Sequence, residues 1–187
     1  FASILIMLIL SLGKIPLEKY QEGNQILNLL IAPATVSLAI PLYQNRQYLK
    51  KIPKTLLFTS FTSALVHAGL MHLSFHLFKL DQVLAASLFP KSVTTAIAID
   101  ISQSLGGKPN LTVAMVVMTG VIGSSLADML NRIFHIKEPI VQGLALGSSA
   151  HAVGTAKASQ MGEVQASMSA LSLILTGFWT VVISLFI

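Results

Sequence analysis

Three stretches of this chain are too long and too poor in charge to be at home in water: 55–78 (TLLFTSFTSALVHAGLMHLSFHLF), 111–130, whose only charge is Asp128, and 164–187 (VQASMSALSLILTGFWTVVISLFI). Each exceeds the roughly 18 residues that mark a membrane-spanning candidate. Lipid offers no water to backbone N–H and C=O groups, so each such run must pair them within itself, as a helix does. Composition agrees: 53% of the 187 residues are hydrophobic and 10% charged, where a soluble domain has roughly 45–50% and 25%. An ordinary water-soluble globule, collagen, a disordered chain and a disulfide scaffold are all excluded. The absence of Cys removes disulfides, Fe–S clusters, Cys-zinc sites and thiol nucleophiles together, and leaves the redox compartment open.

The chain opens on Phe1, inside the apolar run FASILIMLILSL, which lacks the charged start and small-residue cleavage site of a signal peptide. The expectation is a single transmembrane domain, 1–187, that is N-terminally incomplete. A net charge of +5 raises nucleic acid as a partner, but Arg46, Lys50, Lys51 and Lys54 crowd one short loop that holds no acid. In a membrane chain that is a cytoplasmic topology signal. No basic stripe interleaves with aromatics as a nucleic-acid surface requires. The run 26–42 is broken by Pro33 and closed by Pro41, so a kink is expected near Ala32.

Two further segments have membrane-like composition with polar centres. Segment 82–105 carries Pro90–Lys91–Ser92 and then Thr94–Thr95; segment 140–162 carries Gly147–Ser148–Ser149, His151, Gly154 and Thr155. Irregular backbone at membrane depth survives only where protein or a water-filled cavity satisfies it, the signature of discontinuous transporter helices. A shift of 57 residues lays span 55–78 over 111–130 and the first polar-centred segment over the second. Ser92 then meets Ser149, Ser102 meets Ser159, Gln103 meets Gln160, and Asp100 meets Lys157. With the Arg46–Lys54 loop inside, a re-entrant reading of both segments leaves more Lys and Arg in the cytoplasm than full crossing does. The expected fold is therefore all-α: a polytopic helical membrane protein with an inverted repeat of spanning helix plus discontinuous, re-entrant segment, about 55–105 and about 111–162.

Chemistry concentrates at the two polar centres. An ammonium such as Lys91 costs about 2.5–3.5 kcal/mol on insertion scales near a bilayer centre; it either meets a carboxylate substrate, snorkels to an interface, or pairs with a structural acid. Ser92 and Ser149 stand where half-helices would begin, and serine caps leave neighbouring N–H groups free for an anion. His151 beside Ser149 is a ligand donor, a proton-coupling group, or a packing histidine. The spacing is not a nucleophile elbow and no acid stands nearby to orient the ring, so hydrolase chemistry is not expected. His72 and His76, at i and i+4, suit a metal, but no third ligand is near, and interfacial histidines are the simpler reading. Gly143-x-x-x-Gly147 permits close helix contact and reads as ordinary packing. Asp100 and Lys157, opposite in sign at equivalent positions, suggest a structural or coupling charge pair. Met115, Met118, Met129 and Trp179 carry no functional signal.

The strings LIAPATVSLAIPLYQNR (30–46), FPKSVTTAIAIDISQSLGG (89–107), KEPIVQGLALGSSAHAVGTAKASQMGE (137–163) and SLILTG (172–177) resemble the LrgB/CidB family. That family includes bacterial antiholin-like proteins and the membrane half of the plastid glycolate/glycerate translocator. The resemblance covers essentially the whole chain and is carried most specifically by P-K-S-V-T-T and A-H-A-V-G-T-A. Ala96 departs from it, since many relatives have Pro there, which bears on how sharply the first half-helix bends.

The resemblance implies transport of small monocarboxylates such as pyruvate, glycolate or glycerate, or modulation of murein hydrolase activity and autolysis beside a smaller LrgA/CidA-like membrane partner. Together these point to a secondary transporter working by alternating access in the bacterial cytoplasmic membrane, multi-pass and dimeric. Its substrate site is expected at Lys91, Ser92, Thr94, Thr95, Ser148, Ser149, His151, Gly154 and Thr155. No enzymatic activity, resident cofactor or metal is expected. No ATP-binding G-x-x-x-x-G-K-[ST] loop occurs, so a proton or sodium gradient is the expected driving force.

Overall fold

Prolines mark where three of the long helices begin. The computed structural model describes residues 46–187 without a gap and, before them, 9–10, 12–13, 29, 33, 36 and 39–44. The run 1–12 and the expected kink near Ala32 lie largely outside these residues. The chain divides into two compact units, Phe1–Ser37 and Leu38–Ile187. In the first, Gly13 N–H donates to the carbonyl of Ile9, closing one helical turn.

The second unit is all helix: α1 Ala39–Gln44, α2 Arg46–Lys51, α3 Pro53–Phe78, α4 Gln82–Leu88, α5 Thr95–Ser104, α6 Pro109–Ile133, α7 Pro139–Met161 and α8 Glu163–Ser184. Pro53, Pro109 and Pro139 occupy the first turns of α3, α6 and α7, where a missing N–H costs nothing and φ is already helical. Among the described residues three helices are long and apolar enough to cross a membrane, α3, α6 and α8. They coincide with the three apolar runs. α3 turns Phe58, Leu65, Val66, Leu70, Leu73 and Leu77 outward while burying Leu56, Ser60 and Ala64 on one stripe. Large apolar side chains outside and small ones inside suit a helix between lipid and protein. α8 is the inner span, packed against α1, α3, α5 and α7.

Both polar-centred segments are broken. In the first, α4 and α5 are separated by the turn 89–94. Leu105, just past α5, lines a cavity together with Gln82 and Ala85 at the start of α4, and Lys108 N–H donates to Ser87 Oγ at 2.8 Å. The chain beyond α5 has come back against α4. Gly106, with φ +82°, makes the turn that stops α5.

In the second, α7 loses helical geometry at Ala150 and His151. A Cβ on Gly154 would collide with the Leu146 carbonyl, and Leu146, Ala127 and Ala158 share one buried cluster. In a straight helix Leu146 and Ala158 would lie about 18 Å apart, so the halves of α7 fold back side by side.

The hairpins open at opposite ends of the spans. The α4–α5 ends gather with Phe75 of α3 and Ile187, beyond α8. The α7 ends instead contribute Ile140 and Leu144 to a cluster with Ile52, Leu56, Val164, Met168 and Leu171. Lys108 and His135 flank α6 and are both exposed. Single cysteines at 108 and 135 are therefore expected to react with a membrane-impermeant thiol reagent from opposite faces; labelling of both from one face would remove α6 as a span.

Candidate functional site

The two breaks meet on α6. Val93, in the first break, packs with Ala98 and Val116. From the second, His151 Nε2 lies 2.8 Å from the Val116 carbonyl. A carbonyl only accepts, so the imidazole carries its proton on Nε2 in this contact. One helical face of α6 makes room: a Cβ on Gly120 would stand 2.7 Å from His151 Cε1, and one on Gly123 would stand 2.8 Å from the Ala150 Cβ.

At the first break Lys91 is half-buried and Ser92 buried, and no carboxylate lies within ion-pair distance of Lys91 among the described residues. Thr94 and not Ser92 is the N-cap of α5. Its hydroxyl makes no capping bond, and Thr94 Oγ1 is a buried atom without a partner. Thr95 is the first residue of the helix, half-buried.

At the second break Ser149 ends a half-helix where the sequence suggested a beginning. Its hydroxyl donates back to the Ala145 carbonyl at 2.6 Å, as Ser148 does at 3.2 Å, the habit of serine inside a helix. Gly154 is the contact point of the fold-back. Thr155 Oγ1 donates to the His151 carbonyl at 3.0 Å and lies 2.9 Å from Ser169 Oγ on α8. The break is thereby tied to α6 through His151 and to α8 through Thr155.

His67 escapes the sequence reading, which weighs only His72 and His76 in that span. Its Nε2 is 2.7 Å from the Phe89 carbonyl, and its Nδ1 is 3.5 Å from Ser92 Oγ. Each break is thus held to a span by an imidazole and a backbone carbonyl. The available signal was a histidine midway along an uncharged 24-residue run, where a polar side chain marks protein-facing surface. His72 and His76 contact each other, Nε2 to Nε2 at 3.1 Å, and no group of three metal-ligating side chains occurs among the described residues.

The expected Asp100–Lys157 pair is corrected. Lys157 Nζ meets Asp128 Oδ2 at 2.6 Å, while Asp100 is exposed. α5 and α7 do not pack on each other, since each lies against α6. Asp100 and Lys157 climb away from their breaks toward opposite ends, and Asp128 sits at the end Lys157 approaches. A double-mutant cycle is expected to find coupling between Lys157→Gln and Asp128→Asn and none between Lys157→Gln and Asp100→Asn. The converse result would restore the repeat-based pairing.

Apolar spans and two broken hairpins define a helical integral membrane protein with polar groups at its chain breaks. The sequence pattern of the LrgB-like family matches residues 1–187. Antiholin-like protein LrgB of Bacillus mycoides (strain KBAB4) is 34% identical over 182 residues, covering 97% of this chain and 79% of the relative. Antiholin-like protein LrgB of Bacillus subtilis (strain 168) matches to the same extent. No solved structure matches. The chain belongs to the LrgB-like family.

Proposed function

We propose that the protein is a secondary transporter of small monocarboxylates, of the pyruvate, glycolate and glycerate class, working by alternating access as a multi-pass protein of the bacterial cytoplasmic membrane. The observation that carries this reading is the meeting of two broken hairpins, opening at opposite ends, on the Val116 face of α6. Broken helices converging between repeats are how secondary transporters form a site inside the bilayer. On this reading Lys91 holds the substrate carboxylate as a point charge, and Thr94 and Thr95 present the start of α5, whose free N–H groups favour an anion. The span-plus-hairpin units about 55–105 and about 111–162 act as an inverted repeat, a proton or sodium ion couples transport, and the protein forms a dimer with no enzymatic step.

A second reading rests on the name of the relatives, antiholin-like: a regulator of murein hydrolase activity and autolysis acting with a smaller LrgA/CidA-like membrane partner. Counterflow of radiolabelled pyruvate, glycolate, glycerate and lactate in proteoliposomes, with and without that partner, separates the two. Saturable exchange is expected for at least one of these acids, and Lys91→Gln is expected to lower it at least 10-fold at subsaturating substrate while the purified protein keeps its melting temperature. No exchange of any of the four with the partner present would favour the regulator.

A further inference from the structure

A cavity of about 320 Å³ opens at the end where α3, α4 and α5 gather, lined by Met71, His72, Phe75, Gln82, Phe89 and Leu105 among others. It is chiefly apolar, with His72 and Gln82 as its polar groups. Phe89, the first residue of the break, is among the lining residues and is only 6% exposed. Behind it the Phe89 ring stands 6.3 Å from the His67 imidazole, centroid to centroid, and the other side of that imidazole looks to Ser92 Oγ at 3.5 Å. Phe89 thus lines the cavity, while His67 and Ser92 do not. The Phe89 backbone is fixed where it stands, its carbonyl taking the His67 Nε2 proton at 2.7 Å and its N–H donating to the Ala85 carbonyl at 2.9 Å.

We infer that Phe89 is the gate of an access vestibule: its ring separates the cavity from the Lys91–Ser92 turn, and the His67 hydrogen bond holds the backbone from which that ring swings. The occupant of the vestibule is the small carboxylate anion itself, so the inference deepens the transporter reading and rests on it. A single aromatic ring suits this duty because it is flat and rigid, and swings about two torsions. It seals a passage a few atoms wide and clears it by one rotamer change. That bond fixes the Phe89 backbone to a span and leaves the ring free to turn, so opening the gate does not demand that the hairpin unfold. The cavity walls come from α3 and both arms of the first hairpin, and a shift of that hairpin against α3 widens or closes the passage.

The absence of native Cys makes the test direct and independent of transport. Ser92→Cys is placed alone, with Phe89→Ala and with the milder Phe89→Leu, in the full chain reconstituted in vesicles. The probe is a small charged methanethiosulfonate applied from either face. Ser60→Cys, buried in α3 and away from the cavity, reports general loosening. Labelling of Ser92→Cys is expected to be slow alone, at least 10-fold faster with Phe89→Ala, intermediate with Phe89→Leu, and confined to the face from which Lys108→Cys reacts; Ser60→Cys stays unreactive. Unchanged labelling in both Phe89 variants, or faster labelling from the opposite face, overturns the gate. So does a rise in Ser60→Cys labelling that matches Ser92→Cys in the Phe89→Leu background, because Phe89 is then only a packing residue. If the labelling pattern holds while counterflow fails, the passage stands and the transporter reading falls; the reverse pattern removes the gate alone.

Discussion

Gly147→Leu is expected to leave no folded, monodisperse protein in detergent, while Gly69→Leu leaves yield and melting temperature intact or slightly raised. Both glycines sit inside helices, where exchanging Gly for Leu gains most of the roughly 1 kcal/mol by which glycine disfavours helix. The difference lies entirely in what the new side chain meets. A Cβ on Gly147 would run into the backbone carbonyl of Ser169, with the Ser169 carbonyl carbon 2.8 Å away, and at Gly143, one turn earlier, it would meet the Gln165 carbonyl at 2.5 Å. These are main-chain atoms of α8, the inner span, and they cannot rotate aside as a side chain would. Around Gly69 nothing lies within 4 Å. Overpacking in a filled core costs about 1–3 kcal/mol and occasionally more; a leucine driven against backbone belongs at or beyond the upper end. Size-exclusion profiles and melting curves of the two variants side by side check it, and a well-folded Gly147→Leu protein would mean that α7 does not touch α8 in this register.

The second large effect is expected at His151, where Gly and Val should diverge. His151 has φ +42° and ψ −133°, a conformation suited to glycine, whose occupation by another residue costs about 1–3 kcal/mol. That strain is retained because the imidazole bonds the buried Val116 carbonyl. His151→Gly relaxes the backbone and forfeits the bond, so its melting temperature is expected to move little. His151→Val forfeits the same bond and adds a branched Cβ where none is tolerated, so it should melt at least 10 °C lower or fail to fold. If the proposed transport is right, both variants lose exchange, since neither holds the second break to α6. Equal stability of the two would show that the chain does not turn through this conformation.

The spans were legible because uncharged runs of this length have one solution in lipid. The breaks were legible as well, from polar residues packed into the middle of apolar segments. What escaped was which atoms face each other across the fold. Ser92 and Ser149 look alike in sequence, yet Ser92 lies buried in the turn before α5, two residues short of its N-cap, and Ser149 ends a half-helix, because a serine near a helix start and a serine that bonds back to its own helix have the same local signature. Lys157 found Asp128 because the shift of 57 residues aligns letters without saying which helix stands between them. His67 was invisible for a related reason: its importance comes from Phe89, 22 positions away. Gly143 and Gly147, an unremarkable motif on paper, turned out to be pressed against α8.

One helix, α6, supports both breaks, with Val93 resting on Val116 and His151 bonded to that same residue's carbonyl. Whatever displaces Val116 is felt at both places. If the proposed transport is right, the two breaks are linked functions: a ligand or proton that prefers one setting of the first biases the second, through α6, by the same free energy that the second exerts in return. A mutation at Gly120 or Gly123 would press on His151 or Ala150 of the second break, changing the size of that exchange and leaving its symmetry intact.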